Sequence, residues 1–283
     1  MAEEAVAAER LHLWDRATLE EDAWLIHPPS SWPATESGVT GRLRSALSDG
    51  PGLVVLRGLP LAGLSDQAGA DLCRSVVSLA GTPRPHESTA PLDHLLTSAR
   101  PNRGPAPGDP DGASVKAVAL ASHTDRAGPP RPPRVLALLC VRPAPTGGES
   151  LLVSGHTVHD RLAADRPEVL PTLYRDFHFG AERHLARTGP VFFRADGRLD
   201  VQYNRYQIER GHDAAGEPLT PAQVEALDAV DEVLDDESLF LRLALRRGDL
   251  LMLNNYTVLH GRTSFVDHHD PLRRRCLARA WAD

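Results

Sequence analysis

His123 and Asp125 stand two residues apart in the string ASHTD, His260 follows in LLMLNNYTVLHGRTSF, and Arg275 lies in RRRCLARAW. Two imidazoles and one carboxylate can hold one face of a ferrous ion and leave its other coordination positions open. An arginine at a fixed distance beyond the second histidine can clamp a dicarboxylate through paired, charge-assisted hydrogen bonds. Together the four side chains point to a mononuclear iron oxygenase that consumes 2-oxoglutarate.

Such a site needs elements that bring distant residues to one place. Side chains two apart on a strand share a face. His123 and Asp125 follow the apolar run VKAVAL and precede a bend at AGPP, so a strand end is expected to aim both ligands into a barrel. His260 comes after another strand-like run, GDLLMLNNYTVL. A second His-x-Asp, His268 and Asp270 in FVDHHDP, reads as a solvated loop ending at Pro271. His156 and His159 have helical spacing with no partner cluster nearby, and read as the surface of a helix start. Arginine needs the same weighing. Lys116 is the only lysine among 31 basic residues, so an arginine near the C-terminus is a weak signal by itself. The stronger pattern is Arg275-Cys-Leu-Ala-Arg279 on an expected strand, which puts both guanidiniums on one face and Arg274 on the other. An exposed basic edge strand would share that pattern.

The strings SHTD (122–125), PPRVLALLCVRPAPTGGESLLVSG (132–155), QYNRYQIERG (202–211), LTPAQVEALDAVDEVL (219–234), RRGDLLMLNNYTVLHGRTSF (246–265) and RRRCLARAW (273–281) occur in one order. In that order they resemble the taurine dioxygenase and clavaminate synthase group of Fe(II)/2-oxoglutarate-dependent oxygenases. The resemblance covers about 115–283 and extends more loosely to GPGLVVLRGLPL (50–61), similar to the family's first core strand. It implies iron ligation by His123, Asp125 and His260, a salt link from Arg275 to the far carboxylate of 2-oxoglutarate, and support of that cosubstrate by Ser150. It implies that Arg279 faces an anionic group of the primary substrate. Fe(II), 2-oxoglutarate and O2 are the implied cofactors, with succinate and CO2 released. With the carboxylate of Asp125 present, hydroxylation of an unactivated C–H bond is favoured over chlorination. Desaturation, epoxidation or cyclisation would use the same ligands. A zinc hydrolase with the same three ligands leaves Arg275 and Ser150 without a role. A non-catalytic binding barrel with a relict metal site is a third reading. Release of succinate dependent on Fe(II) and 2-oxoglutarate separates the first from the other two.

Composition sets the frame. The 283 residues are 41% hydrophobic and 24% charged, with a net charge of −7. The four key positions span most of the chain, so one domain over 1–283 is expected, with a helical N-terminal part. No apolar run reaches the ~20 residues a membrane span needs. The acidic start MAEEAVAAER lacks the basic-then-apolar order of a signal peptide, so a cytoplasmic chain is expected. Cys73, Cys140 and Cys276 are isolated and read as buried thiols in a reducing compartment. The acidic balance without a basic block argues against nucleic acid as the main partner.

Segments 15–27 and 66–80 have helical spacing, and 52–57 reads as a buried strand. Segment 99–114, rich in Pro and Gly, reads as a surface loop or as an active-site lid, because it precedes the ligand strand. Segment 156–173 reads as a helix broken near Pro167, and 220–235 as a helix capped by Thr220 with Pro221 in its first turn. LFLRLAL and LLMLNNYTVLH are expected to form a hairpin joined at Arg247-Gly248-Asp249. The sum is a mainly β fold with flanking helices, a double-stranded β-helix (jelly-roll, cupin-like) core. The expected substrate is a small anionic or zwitterionic molecule, an amino acid or natural-product intermediate. Asn204, Arg205 and Tyr206 are candidate lining residues, or form an ordinary strand with one polar face.

Overall fold

VLALLCV (135–141) and LLML (250–253) are buried at every position. A strand alternates its side chains between two faces, so a run without a polar face has to be covered on both sides. The computed structural model, which describes residues 12–29, 32, 38–85, 93–97, 114–125, 131–182, 186–195 and 197–283, bears this out. Its strands are β1 (Leu25–Ile26), β2 (Leu53–Leu56), β3 (Pro83–Arg84), β4 (Asp93–Thr97), β5 (Ser114–Ala117) and β6 (Leu120–His123). They continue as β7 (Val135–Arg142), β8 (Thr146–Gly147), β9 (Ser150–Ser154), β10 (Phe177–Phe179), β11 (Arg187–Gly189) and β12 (Phe192–Ala195). The last are β13 (Arg198–Val201), β14 (Leu241–Leu243), β15 (Leu250–Asn254), β16 (Val258–Arg262), β17 (Phe265–His268) and β18 (Cys276–Ala282). The main helices are α1 (Val39–Ser48), α2 (Asp66–Val77), α3 (Gly155–Asp165), α4 (Arg205–Ala215) and α5 (Pro221–Leu234).

The larger sheet runs β1-β2-β15-β7-β18-β3, with β4 also on β18, and a smaller one runs β14-β9-β16-β6. Between them lies one apolar layer: Leu136, Leu138, Leu251, Leu253, Leu277 and Trp281 from the larger sheet meet Leu152, Leu243 and Val258 from the smaller. The outer face of the larger sheet, with Val135, Ala137, Leu139, Leu250 and Met252, packs on α1 and α2. Their apolar residues Val39, Leu43, Ala46 and Leu47, and Ala70, Cys73, Val76 and Val77, recur at helical spacing. Val153 and Leu259, on the outer face of the smaller sheet, pack on α3 and α5. Two facing sheets with helices outside make a mainly β core with flanking helices, an arrangement consistent with the expected double-stranded β-helix.

Several expected elements form as read. Helix α2 is capped by Ser65, whose side chain accepts from Ala68 N. Helix α5 carries a capping box between Thr220 and Gln223, with Pro221 in the first turn. Helix α3 ends before Pro167. Cys73, Cys140 and Cys276 are buried free thiols.

Others do not. Segment 15–27 gives one 3-10 turn at Glu21–Ala23 and then β1, which pairs in parallel with β2. Pairing buries Leu25 and Ile26 and overrides their helical spacing. The 247–249 turn is not a hairpin. β14 pairs with β9 in the smaller sheet, while β15 pairs with β2 and β7 in the larger, so the chain crosses between sheets there. β15 and β16 likewise belong to different sheets. FVDHHDP is not a loop throughout: β17 covers Phe265–His268 with Phe265 and Asp267 buried. His156 is buried, and its Nε2 lies 2.7 Å from Leu199 O. Residues 99–113 of the expected lid or loop lie outside the described residues; Ser114 begins β5.

Candidate active site

His123 ends β6 and His260 lies in β16, directly opposite in the antiparallel register. Their ring centroids are 4.4 Å apart. Asp125 lies past the end of β6 rather than on it, and is held by a side chain from the turn after β15. Asn255 Oδ1 accepts from Asp125 N at 2.7 Å, and Asn255 Nδ2 donates to Asp125 O and Pro133 O at 3.0 Å each. The amide thus acts as a strand neighbour would, and returns the carboxylate to the histidines. Asp125 Oδ1 is 3.6 Å from Nε2 of both His123 and His260. One donor atom from each of the three residues lies within 4.8 Å of the others, a spacing that can hold a metal ion.

The donor chemistry fits iron. The Nδ1–H of His123 donates to Ala121 O at 2.8 Å, which leaves Nε2 as the lone-pair nitrogen facing Asp125. His260 Nδ1 is buried with no hydrogen-bond partner among the described residues. The 3.6 Å separations are too long for hydrogen bonds and suit ligands around a shared ion. Asp125 is buried, which works against its charge. The imidazoles of His123 and His260 and the guanidinium of Arg279 outweigh that and hold its carboxyl well below the usual range. Burial pushes His260 down, aided by His123. For His123, burial is outweighed by Asp125, and the imidazole is pushed up. Two histidines, one carboxylate and an open side form the donor set of non-haem Fe(II).

The larger sheet supplies the groups behind the carboxylate. Leu277, Arg279 and Trp281 alternate with the helix-facing Cys276, Ala278 and Ala280. Trp281 Nε1 donates to Asp125 Oδ2 at 2.9 Å. Arg279 NH1 is 3.6 Å from the same oxygen, and its guanidinium carbon is 5.2 Å from the Trp281 ring centroid. Arg279 Nε is buried without a partner among the described residues.

Arg275 immediately precedes β18. Its backbone N–H donates to Asp267 Oδ1 at 2.8 Å, and its guanidinium lies 5.2 Å from the centroid of Phe265. It is 9% exposed, and among the described residues no carboxylate pairs with it. Burial, aided by the charge of Arg262, pushes its pKa down to about 10. Burying a guanidinium without an ion-pair partner is costly, and an anion bound beside it would offset that cost. Gly148 leaves room beside it, since a Cβ there would stand 3.3 Å from Arg275 Nε. Ser150, buried at the start of β9, is in register with Arg262 on β16. Arg274 is buried as well, but its guanidinium donates to the carbonyls of His268 and His269 at 3.2 and 3.1 Å.

Asn204, Arg205 and Tyr206 line a cavity of about 710 Å³ that also takes in His123 and Arg262. They are not a strand. Asn204 is the N-cap of α4, and Arg205 and Tyr206 open the helix. Arg205 meets Glu209, Asp228 and Asp231 at 2.7 to 2.9 Å, whereas Tyr206 is 65% exposed. Asn255, Trp281, Asp267 and Arg262 were not singled out from sequence. The Asn-Asn doublet before His260 and the position of Arg262 two residues after it were the available signals.

The family model described as taurine catabolism dioxygenase TauD, TfdA family matches residues 27–281. A taurine hydroxylase-like protein, SAT17, of Stachybotrys chartarum is 31% identical over 167 residues, 56% of this chain and 41% of that protein. A uridine-5'-phosphate dioxygenase of a Streptomyces species is 32% identical over 153 residues, 50% of this chain and 53% of that protein. The chain thus spans about half the length of these curated relatives. The non-heme iron oxygenase OrfP, in a structure with Fe and alpha-ketoglutaric acid, superposes with a TM-score of 0.65 at 20% identity, over 100% of this chain and 92% of that one. An asparagine oxygenase in complex with Fe(II), hydroxyasparagine and succinate gives 0.61 at 19%, over 100% and 92%. At these identities the likeness is one of fold.

Proposed function

We propose that this chain, which belongs to the taurine catabolism dioxygenase TauD, TfdA family, is an Fe(II)- and 2-oxoglutarate-dependent dioxygenase that hydroxylates an unactivated C–H bond of an amino acid or a small natural-product intermediate. The observation that carries this reading is the His123, Asp125 and His260 cluster together with the buried guanidinium of Arg275, which has no ion-pair partner among the described residues. A dicarboxylate cosubstrate gives the second feature a role that metal ligation alone does not. The structures of OrfP and asparagine oxygenase, with amino-acid ligands or products in some of them, support the substrate class.

His123, Asp125 and His260 would hold the iron, with Nε2 of each histidine and Oδ1 of Asp125 as donors. Once bound, the metal supplies oxidative decarboxylation of the cosubstrate coupled to C–H oxidation, with succinate and CO2 released. Arg275 binds the far carboxylate of 2-oxoglutarate, and Ser150 supports it with its hydroxyl. Trp281 holds Asp125 Oδ2 by hydrogen bond and so keeps Oδ1 turned toward the histidines. The apolar layer between the sheets keeps water from the reacting centre. Arg279, held near Asp125 with its Nε unpartnered, receives an anionic group of the substrate. Asn204, Arg205 and Tyr206 line the approach. One domain carries all these groups, because both sheets contribute to one centre. Among the described residues no helix is long and apolar enough to cross a membrane. The buried free thiols suit a reducing compartment, and we place the activity in the cytoplasm.

The test is release of succinate from 2-oxoglutarate. It should need Fe(II) and O2, and amino acids should be screened for stimulation. Turnover that survives omission of Fe(II), or no succinate under any substrate, would overturn the reading.

A further inference from the structure

We propose that Arg262 is a second cation of the cosubstrate clamp, sharing the far carboxylate of 2-oxoglutarate with Arg275. This rests on the reading of Arg275 given above. Arg262 stands two residues after His260 on β16, so its side chain takes the same, inward face as that histidine. Across the sheet it is in register with Ser150, the other residue assigned to the cosubstrate. Both guanidiniums lie against one ring: Arg262 at 4.5 Å and Arg275 at 5.2 Å from the centroid of Phe265.

The charges explain why a ligand belongs there. Among the described residues Arg142 meets Asp66 and Arg205 meets three carboxylates, while Arg274 is met by two carbonyls and Arg187 by the Gln202 amide oxygen. Arg262 and Arg275 have no ion-pair partner among the described residues. Arg262 NH2 donates to Val118 O at 2.6 Å, while its Nε is buried with no hydrogen-bond partner among the described residues. The carboxyl of Asp267 accepts from the backbone N–H of Arg275 and of His268. Two like charges sharing an arene in a partly dry site repel each other. A carboxylate between them relieves both. Arg262 therefore favours cosubstrates whose far end is anionic over 2-oxo acids with a neutral end.

Glutarate is a suitable probe, because it has the two carboxylates but lacks the 2-oxo group that chelates metal. Its binding to metal-free protein, measured by calorimetry at low salt, reads the clamp alone. Wild type should bind glutarate, and Arg262→Met, which keeps an apolar stem, should weaken binding about 10-fold or more, as loss of a charge-assisted contact implies. Arg275→Met should weaken it at least as much. Thermal melting checks that each variant is folded. A folded Arg262→Met that binds like wild type, beside a weakened Arg275→Met, overturns this inference and leaves the proposed function standing. Absence of glutarate binding in wild type overturns it too; if succinate release is also absent, the proposed function falls with it. Should Arg262→Met fail to fold, Arg262→Gln, neutral but polar, carries the test. Weakened glutarate binding supports the paired-guanidinium clamp, and full wild-type affinity refutes it.

Discussion

Asn255 makes no contact with the metal donors, yet its amide holds both backbone groups of Asp125. Asn255→Ala would leave those buried groups unpaired, at a cost of about 1–3 kcal/mol. Iron affinity should fall about 10- to 100-fold, as for other residues that orient a ligand. Competition with a chelator measures it, and a variant that loses thermal stability but keeps its iron affinity would reduce Asn255 to a structural part. Arg274 and Arg275 offer a sharper contrast. Both are buried neighbours, but the guanidinium of Arg274 serves two carbonyls whereas that of Arg275 has no ion-pair partner among the described residues. Arg275→Ala should raise the KM for 2-oxoglutarate about 10- to 100-fold. Arg274→Ala should chiefly lower Tm. The reverse order would assign the clamp to the wrong arginine. His123, Asp125 and His260, which the fold brings together, could be picked out as candidates from the sequence because metal chemistry accepts few residue types, and Arg275 because carboxylate binding does. Asn255 and Trp281 were not, because their roles arise from contacts across the fold, 130 and 156 residues away in sequence from Asp125.

Strands β6 and β16 set the distance between the histidines, and Gly261 controls how closely they approach. It sits where the register shifts between His260 and Arg262. A Cβ there would meet the carbonyl oxygen of Leu120 at 2.8 Å and Ser122 N at 3.3 Å. Backbone cannot step aside cheaply, so Gly261→Ala should push β6 away and carry His123 with it. Overpacking of this kind costs about 1–3 kcal/mol, so both Tm and iron affinity should fall. Gly41 in α1 is the control, with nothing within 4 Å of its would-be Cβ. Gly41→Ala should stabilise by about 0.5–1 kcal/mol through helix propensity. Equal behaviour of the two variants would contradict the close-approach argument. Helices α2 and α5 could be read from their spacing and caps. The crossing at 247–249 could not. Both flanking strands are apolar, and β15, buried on both faces, has no polar alternation to show which sheet it joins.

The two sheets meet at the site: the smaller brings His123 and His260, and the larger brings Arg279 and Trp281, with Arg275 just before β18. Ligands that engage both sheets should stabilise the whole fold. Metal with 2-oxoglutarate at about 100 times its Kd should add about 2.7 kcal/mol, read as a rise in Tm. The most direct measurement is an anaerobic optical titration of the Fe(II)-loaded protein with 2-oxoglutarate, following the charge-transfer band of the iron–2-oxo acid chelate. The band should grow to saturation in wild type, be lost in Asp125→Ala and His260→Ala, and need far more 2-oxoglutarate in Arg275→Ala. A wild-type protein that gives no band, or triad variants that give it undiminished, would contradict an iron and cosubstrate site built from these residues.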